Sequence, residues 1–123
     1  MLIPKSGVRI RACSRPHPAS EHLFHYVVVR ADLPRGIQAA NIVHSAGESS
    51  PGNLSAGTHA VCLTAPNEDA LKGIADRLEA AGVAFVRVFE PDAPYFGALM
   101  SIGLVPGPKE DLRRHLSSLP LLR

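Results

Sequence analysis

The stretch "LFHYVVVRADLPRGIQAANIVHSAGES", residues 23–49, decides how this chain folds. Leu23 to Val29 are apolar apart from His25, and β-branched valines dominate, the pattern of a central strand covered on both faces. Pro34 and Gly36 then turn the chain, and helical spacing follows from about Gly36 to Gly47. That helix carries Gln38, Asn41 and His44, an unusual supply of hydrogen-bonding side chains for a segment joined to so apolar a strand.

Working outward, Glu48 to Gly57 is rich in Ser, Gly, Pro and Asn and reads as a loop. His59 to Ala65 is a second strand. Asn67 caps a helix whose first turn holds Glu68 and Asp69, whose buried stripe is Leu71, Ile74, Ala75 and Leu78, and whose stop is Gly82. VAFVRVF is a third strand, and ALMSIGLV is a fourth after a Pro-rich loop. Pro108, taken as the first helical residue, opens a last short helix bearing Arg113, Arg114 and His115.

Strands separated by helices imply right-handed crossovers, and the short link between strands three and four permits an antiparallel edge. The expected architecture is a three-layer α/β/α sandwich on a four-stranded mixed, mostly parallel sheet, spanning residues 23–123. Residues 1–22 form a basic, Pro-containing extension with Lys5, Arg9, Arg11 and Arg15 and no acid before Glu21. Its composition fits a basic arm, a loosely ordered segment or an Arg-rich transit peptide, and VRIRAC could pair as an edge strand.

Composition narrows the function. The chain has 123 residues and a formal charge of +2, enough for one core and too little charge to announce a nucleic-acid binder. No apolar run reaches the roughly 18 residues of a membrane span, and two cysteines, Cys13 and Cys62, make no disulfide framework, so a reducing cytoplasm is expected. The histidines show no paired ligand spacing, so neither a metal nor another cofactor is expected. Walker, GxGxxG and GxSxG motifs do not occur. With four Phe, two Tyr and no Trp, a stacking platform for single-stranded nucleic acid is not expected either.

In an open α/β sheet, ligands gather at the carboxyl ends of the parallel strands. That rule collects Asp32, Glu90, Asp92 and the start of the first helix with Arg35. Each has a plainer reading: Asp32 can fix a turn, Glu90 and Asp92 can be solvated acids, and His44 can pair with Glu48 one turn on.

Four motifs in order resemble the type II peptidyl-tRNA hydrolases. "VVVRADL" followed by "AANIVHSA" is similar to the family's strand ending in Asp-Leu and its helix reading Ala-Ala-Gln, two residues, His-Ala. "VCLTAPNEDALKGIADRLEAAGVAFVRVFEPD" and "IGLVPGPKEDL" look like its middle region and final Pro-Gly-Pro turn, so the resemblance covers residues 24–119. The glycine-rich loop is shortened to "PRGIQ", with Arg35 the cation in place of the family lysine. Asn41 stands for the Gln, and His44 is retained. In "EPDAPYF", Glu90 or Asp92 matches the family acid, and the family Thr has no counterpart. These departures resemble the divergent, domain-containing branch.

The resemblance implies an esterase that frees tRNA from peptidyl-tRNA. Glu90 or Asp92 would take a proton from water, Asn41 and His44 would orient the ester, and Arg35, Asp32 and Arg113 would contact the tRNA. The alternative is a catalytically inactive, homodimeric descendant that binds RNA or protein.

Overall fold

A computed structural model describes residues 22–123. In chain order the elements are β1 (Leu23–Arg30), α1 (Arg35–Ser49), β2 (His59–Ala65), α2 (Glu68–Ala80), β3 (Phe85–Glu90), β4 (Ala98–Leu104), β5 (Gly107–Pro108) and α3 (Lys109–Leu112), followed by a 3-10 turn at Arg113–His115. The fold is α/β, with a mixed sheet of five strands ordered β2-β1-β4-β3 and β5 paired to β1. Except for His22, the expected amino-terminal extension and its VRIRAC strand lie outside the described residues.

Two expectations about the sheet need correction. β4 is not an edge: it lies between β1 and β3 and is antiparallel to both, so only β1 and β2 pair in parallel. Reversing at the loop 91–97 lets β4 return inside the sheet, where its apolar Leu99, Met100, Ile102 and Leu104 are all buried. The sheet is therefore mixed rather than mostly parallel in its pairing, although β1, β2 and β3 still point the same way. The fifth strand is the other difference. Pro108 pairs with Leu23 and Gly107 with Phe24, so Pro108 closes a strand and caps α3 from outside the helix.

Alternation along the strands sorts the core into two faces. Tyr26, Val28, Ile102 and Leu104 pack with Leu71, Ile74, Ala75 and Leu78 of α2. Val29 faces the other way, with Leu33, Met100 and the α1 residues Ile37 and Ile42. An extra residue in β4 makes this possible: Val88 is level with Ser101 but Phe89 is level with Leu99, so Met100 bulges and turns to the α1 side while Leu99 joins the α2 side.

α2 forms as its sequence dictates. Asn67 Oδ1 accepts from the Ala70 N–H at 2.9 Å, and the chain leaves through Gly82 at φ 74°, a left-handed conformation that suits glycine. The exposed edge of β2 is covered by the chain end: Thr64 N–H donates to Pro120 O at 2.9 Å and Leu122 N–H to Cys62 O at 3.0 Å.

α1 is unusual because its buried residues, Gln38, Asn41, Ser45 and Ser49, are all polar. It continues to Ser49, into the expected loop, because that residue is tied down: its hydroxyl donates to Ser45 O at 2.7 Å and meets His25 Nε2 at 2.8 Å. Ser45 and Ser101 share a hydroxyl–hydroxyl bond, and Ser101 also reaches the Asn41 carbonyl at 3.2 Å. Gly103 permits the close approach, since a Cβ there would lie 2.5 Å from Ser45 O. At that separation large apolar side chains do not fit, and the small polar ones satisfy one another.

Candidate functional site

β1 and β3 both run antiparallel to β4, so their carboxyl ends lie at one end of the sheet. Asp32, two residues past β1, forms a forked pair with Arg30: Nε to Oδ1 at 2.9 Å and Nη2 to Oδ2 at 3.0 Å. This bond, more than the charge itself, holds the Asp32 carboxyl below its ordinary range, while burial opposes the shift. Arg30 also donates through Nη1 to Leu99 O at 3.3 Å.

The same residue, Leu99, donates its N–H to Glu68 Oε2 at 2.8 Å. That bond is the main reason the Glu68 carboxyl titrates low; Lys72 adds to it, with Nζ 3.5 Å from Oε2. The backbone of Leu99, beside the β4 bulge, is thus bonded by both Arg30 and Glu68. Gln38 joins strand to helix by donating to Arg30 O at 3.1 Å and Ala31 O at 3.3 Å, while its Oε1 accepts from Arg35 Nη1 at 3.3 Å. Arg35 is exposed at the start of α1.

Glu90 ends β3 half-buried, and its Oε1 accepts from the Asp92 N–H at 3.1 Å. Asp92 is exposed, and its carbonyl closes the loop by accepting from Tyr95 and Phe96 N–H at 3.0 and 3.1 Å. Tyr95 packs with Val29, Leu33 and Met100 and is close enough to Arg30 to act on its charge, which links this loop to the Arg30–Asp32 pair.

The other expected site residues lie elsewhere. Asn41 is buried and donates its amide to Ile37 O, 2.9 Å away in its own helix. His44 is exposed and lies 3.3 Å from Glu48 Oε2, the i,i+4 pairing expected of neighbouring turns. Arg113 follows β5 and α3, which begin beside Leu23, so it belongs to the amino end of β1 rather than beside Arg35.

Arg30 and Glu68 are the organising residues that sequence reasoning missed; Gln38 stands out in the sequence as a polar residue of the first helix but has no place in the expected site. Arg30 had a signal, as a strand's last residue two positions before Asp32. Glu68 had none, because its partner is a backbone amide 31 residues away.

Among the described residues, no group of three or more His, Cys, Asp or Glu side chains could hold a metal ion, and no helix is long and apolar enough to cross a membrane. No protein-family model matches the chain, and no curated protein sequence matches it. Chemically, the carboxyl end of the sheet offers an accessible guanidinium at Arg35 and a half-buried carboxylate at Glu90, around a core of neutralised pairs.

Proposed function

We propose that this chain is an RNA-directed ester hydrolase of the peptidyl-tRNA type, working at the carboxyl ends of β1 and β3. The observation that carries the reading is the delivery of Arg35 and Glu90 to one end of the sheet, where Asp32 is neutralised by Arg30. Glu90 takes a proton as water attacks the ester carbonyl, Arg35 binds a phosphate or the developing oxyanion, and the ribose oxygen leaves with a proton. Asp32 shapes the turn rather than reacting. On this reading the fold is a three-layer sandwich whose working sheet is β2-β1-β4-β3, the protein is cytoplasmic, it acts in translation, and it can pair as a homodimer.

A second reading is favoured by Asn41 and His44, whose polar atoms bond within their own helix. It is an inactive relative that binds RNA or protein through the same end of the sheet. Peptide release from a model peptidyl-tRNA, measured beside tRNA binding, separates the two. Release by the wild type that falls with Glu90→Gln supports the enzyme; tRNA binding without release supports the inactive relative.

A further inference from the structure

At the opposite end of the sheet the parallel register of β1 and β2 sets Phe24 beside His59. Their rings stack at 4.7 Å with an interplanar angle of 26°. His22 extends the series, its ring centroid 5.3 Å from that of His59, and Tyr26 continues it inward, 5.9 Å from Phe24. His22 and His59 are exposed, Phe24 is half-buried and Tyr26 is buried, so the series runs from solvent into the core.

A positive charge overlies one of these rings. Lys109 Nζ stands 5.3 Å from the Phe24 ring centroid, brought there because β5 pairs with the start of β1. Arg113 lies near enough to Tyr26 to oppose the upward shift that burial gives its phenol. Lys109, Arg113 and Arg114 are exposed, and they outnumber Glu110 and Asp111 of the same segment.

Partly exposed rings beside cations are what a base and its phosphate need: the π-face stacks a base of any sequence, and the cation holds the backbone. We propose that the ring series His22–His59–Phe24, overlaid by Lys109, binds unpaired bases of single-stranded nucleic acid. The base stacks on the exposed His59, with the His22 ring, tilted 41° to it, against its edge, and its phosphate reaches Lys109 and Arg113. Composition argues against such a platform because aromatic side chains are few, yet the strand register gathers two of the six Phe and Tyr rings, Phe24 and Tyr26, with His59 on one strip. The site is separate from Glu90 and does not depend on hydrolase activity.

Fluorescence anisotropy with labelled eight-nucleotide oligo-U RNA, oligo-dT DNA and a hairpin duplex tests this in the full chain at low salt. Both single strands are expected to bind more tightly than the duplex. His59→Ala and His22→Ala should each weaken binding about tenfold, His59→Phe should retain it, and Lys109→Ala should lower the salt slope by about one. Both histidines are exposed, and unchanged thermal unfolding verifies that the variants fold. RNA binding without DNA binding also supports the site and restricts its ligand. Failure of the wild type to bind either strand overturns the proposal, as does tighter duplex binding or affinity unchanged in both alanine variants. Glu90→Gln should leave this binding intact, so loss of the hydrolase reading would not remove the site.

Discussion

His25 in the middle of the sheet and Ser49 in the last turn of α1 meet at 2.8 Å, both buried, and so fasten the end of the helix to β1. Because the Ser49 hydroxyl donates to Ser45 O, His25 Nε2 carries the proton of this bond. Burial lowers the His25 pKa, which favours the neutral ring in the folded protein at pH 7.

The consequence is a defined pH dependence. An unfolded histidine titrates near about 6.5, and the folded one titrates lower, so the unfolded state binds more protons as pH falls below that value. The stability contribution of His25 is complete above its unfolded pKa and declines as pH falls toward its folded pKa. Thermal unfolding between pH 7.5 and 5 should show a falling Tm, and His25→Gln should flatten the decline while lowering stability at neutral pH.

Gly103→Ala should destabilise the fold by about 1–3 kcal/mol, the usual cost of overpacking. Its Cβ would meet the Ser45 carbonyl, which is helix backbone and cannot rotate away. Urea unfolding measures the loss. An alanine as stable as the wild type would mean that α1 stands off the sheet more than the structure has it.

Gln38→Ala removes the donor to the Arg30 and Ala31 carbonyls and should cost about 1 kcal/mol, the net scale of a partly buried hydrogen bond. It also frees Arg35 from its Oε1 partner. If Arg35 binds tRNA phosphate, Gln38→Ala should weaken tRNA binding less than Arg35→Ala does, and only Arg35→Ala should reduce its salt dependence.

Glu90→Gln should lower peptide release by roughly 100-fold or more, the scale for losing a general base. Asp92→Asn is the control. Its carbonyl closes the loop, which the substitution preserves, while its exposed carboxylate has no part in that closure. Loss of release in Asp92→Asn alone would transfer the base role to Asp92.

Much of the fold was legible because local chemistry decides it. The valine run of β1, the Asn67 cap and apolar stripe of α2, and the Gly82 exit act within a few residues and appear in the structure as expected. The same-end position of Asp32, Arg35 and Glu90 was legible too, since strands linked by helical crossovers must point the same way.

Tertiary structure alone decided the rest. No local signal places β4 between β1 and β3, because strand order depends on which edges meet after the loop closes. Gln38, Asn41 and His44 of α1 suggested a ligand site, but Gln38 bonds the Arg30 and Ala31 carbonyls, and Asn41 and His44 bond within the helix. Ser45 and Ser49 face Ser101, Gly103 and His25, whose small size or polarity lets the helix lie close. The Leu99 backbone, bonded by both Arg30 and Glu68, and the rings of Phe24 and His59 in register, join residues far apart in the chain. A side chain's partner across a sheet is set by register and bulges, which are properties of the paired strands together and not of either segment alone.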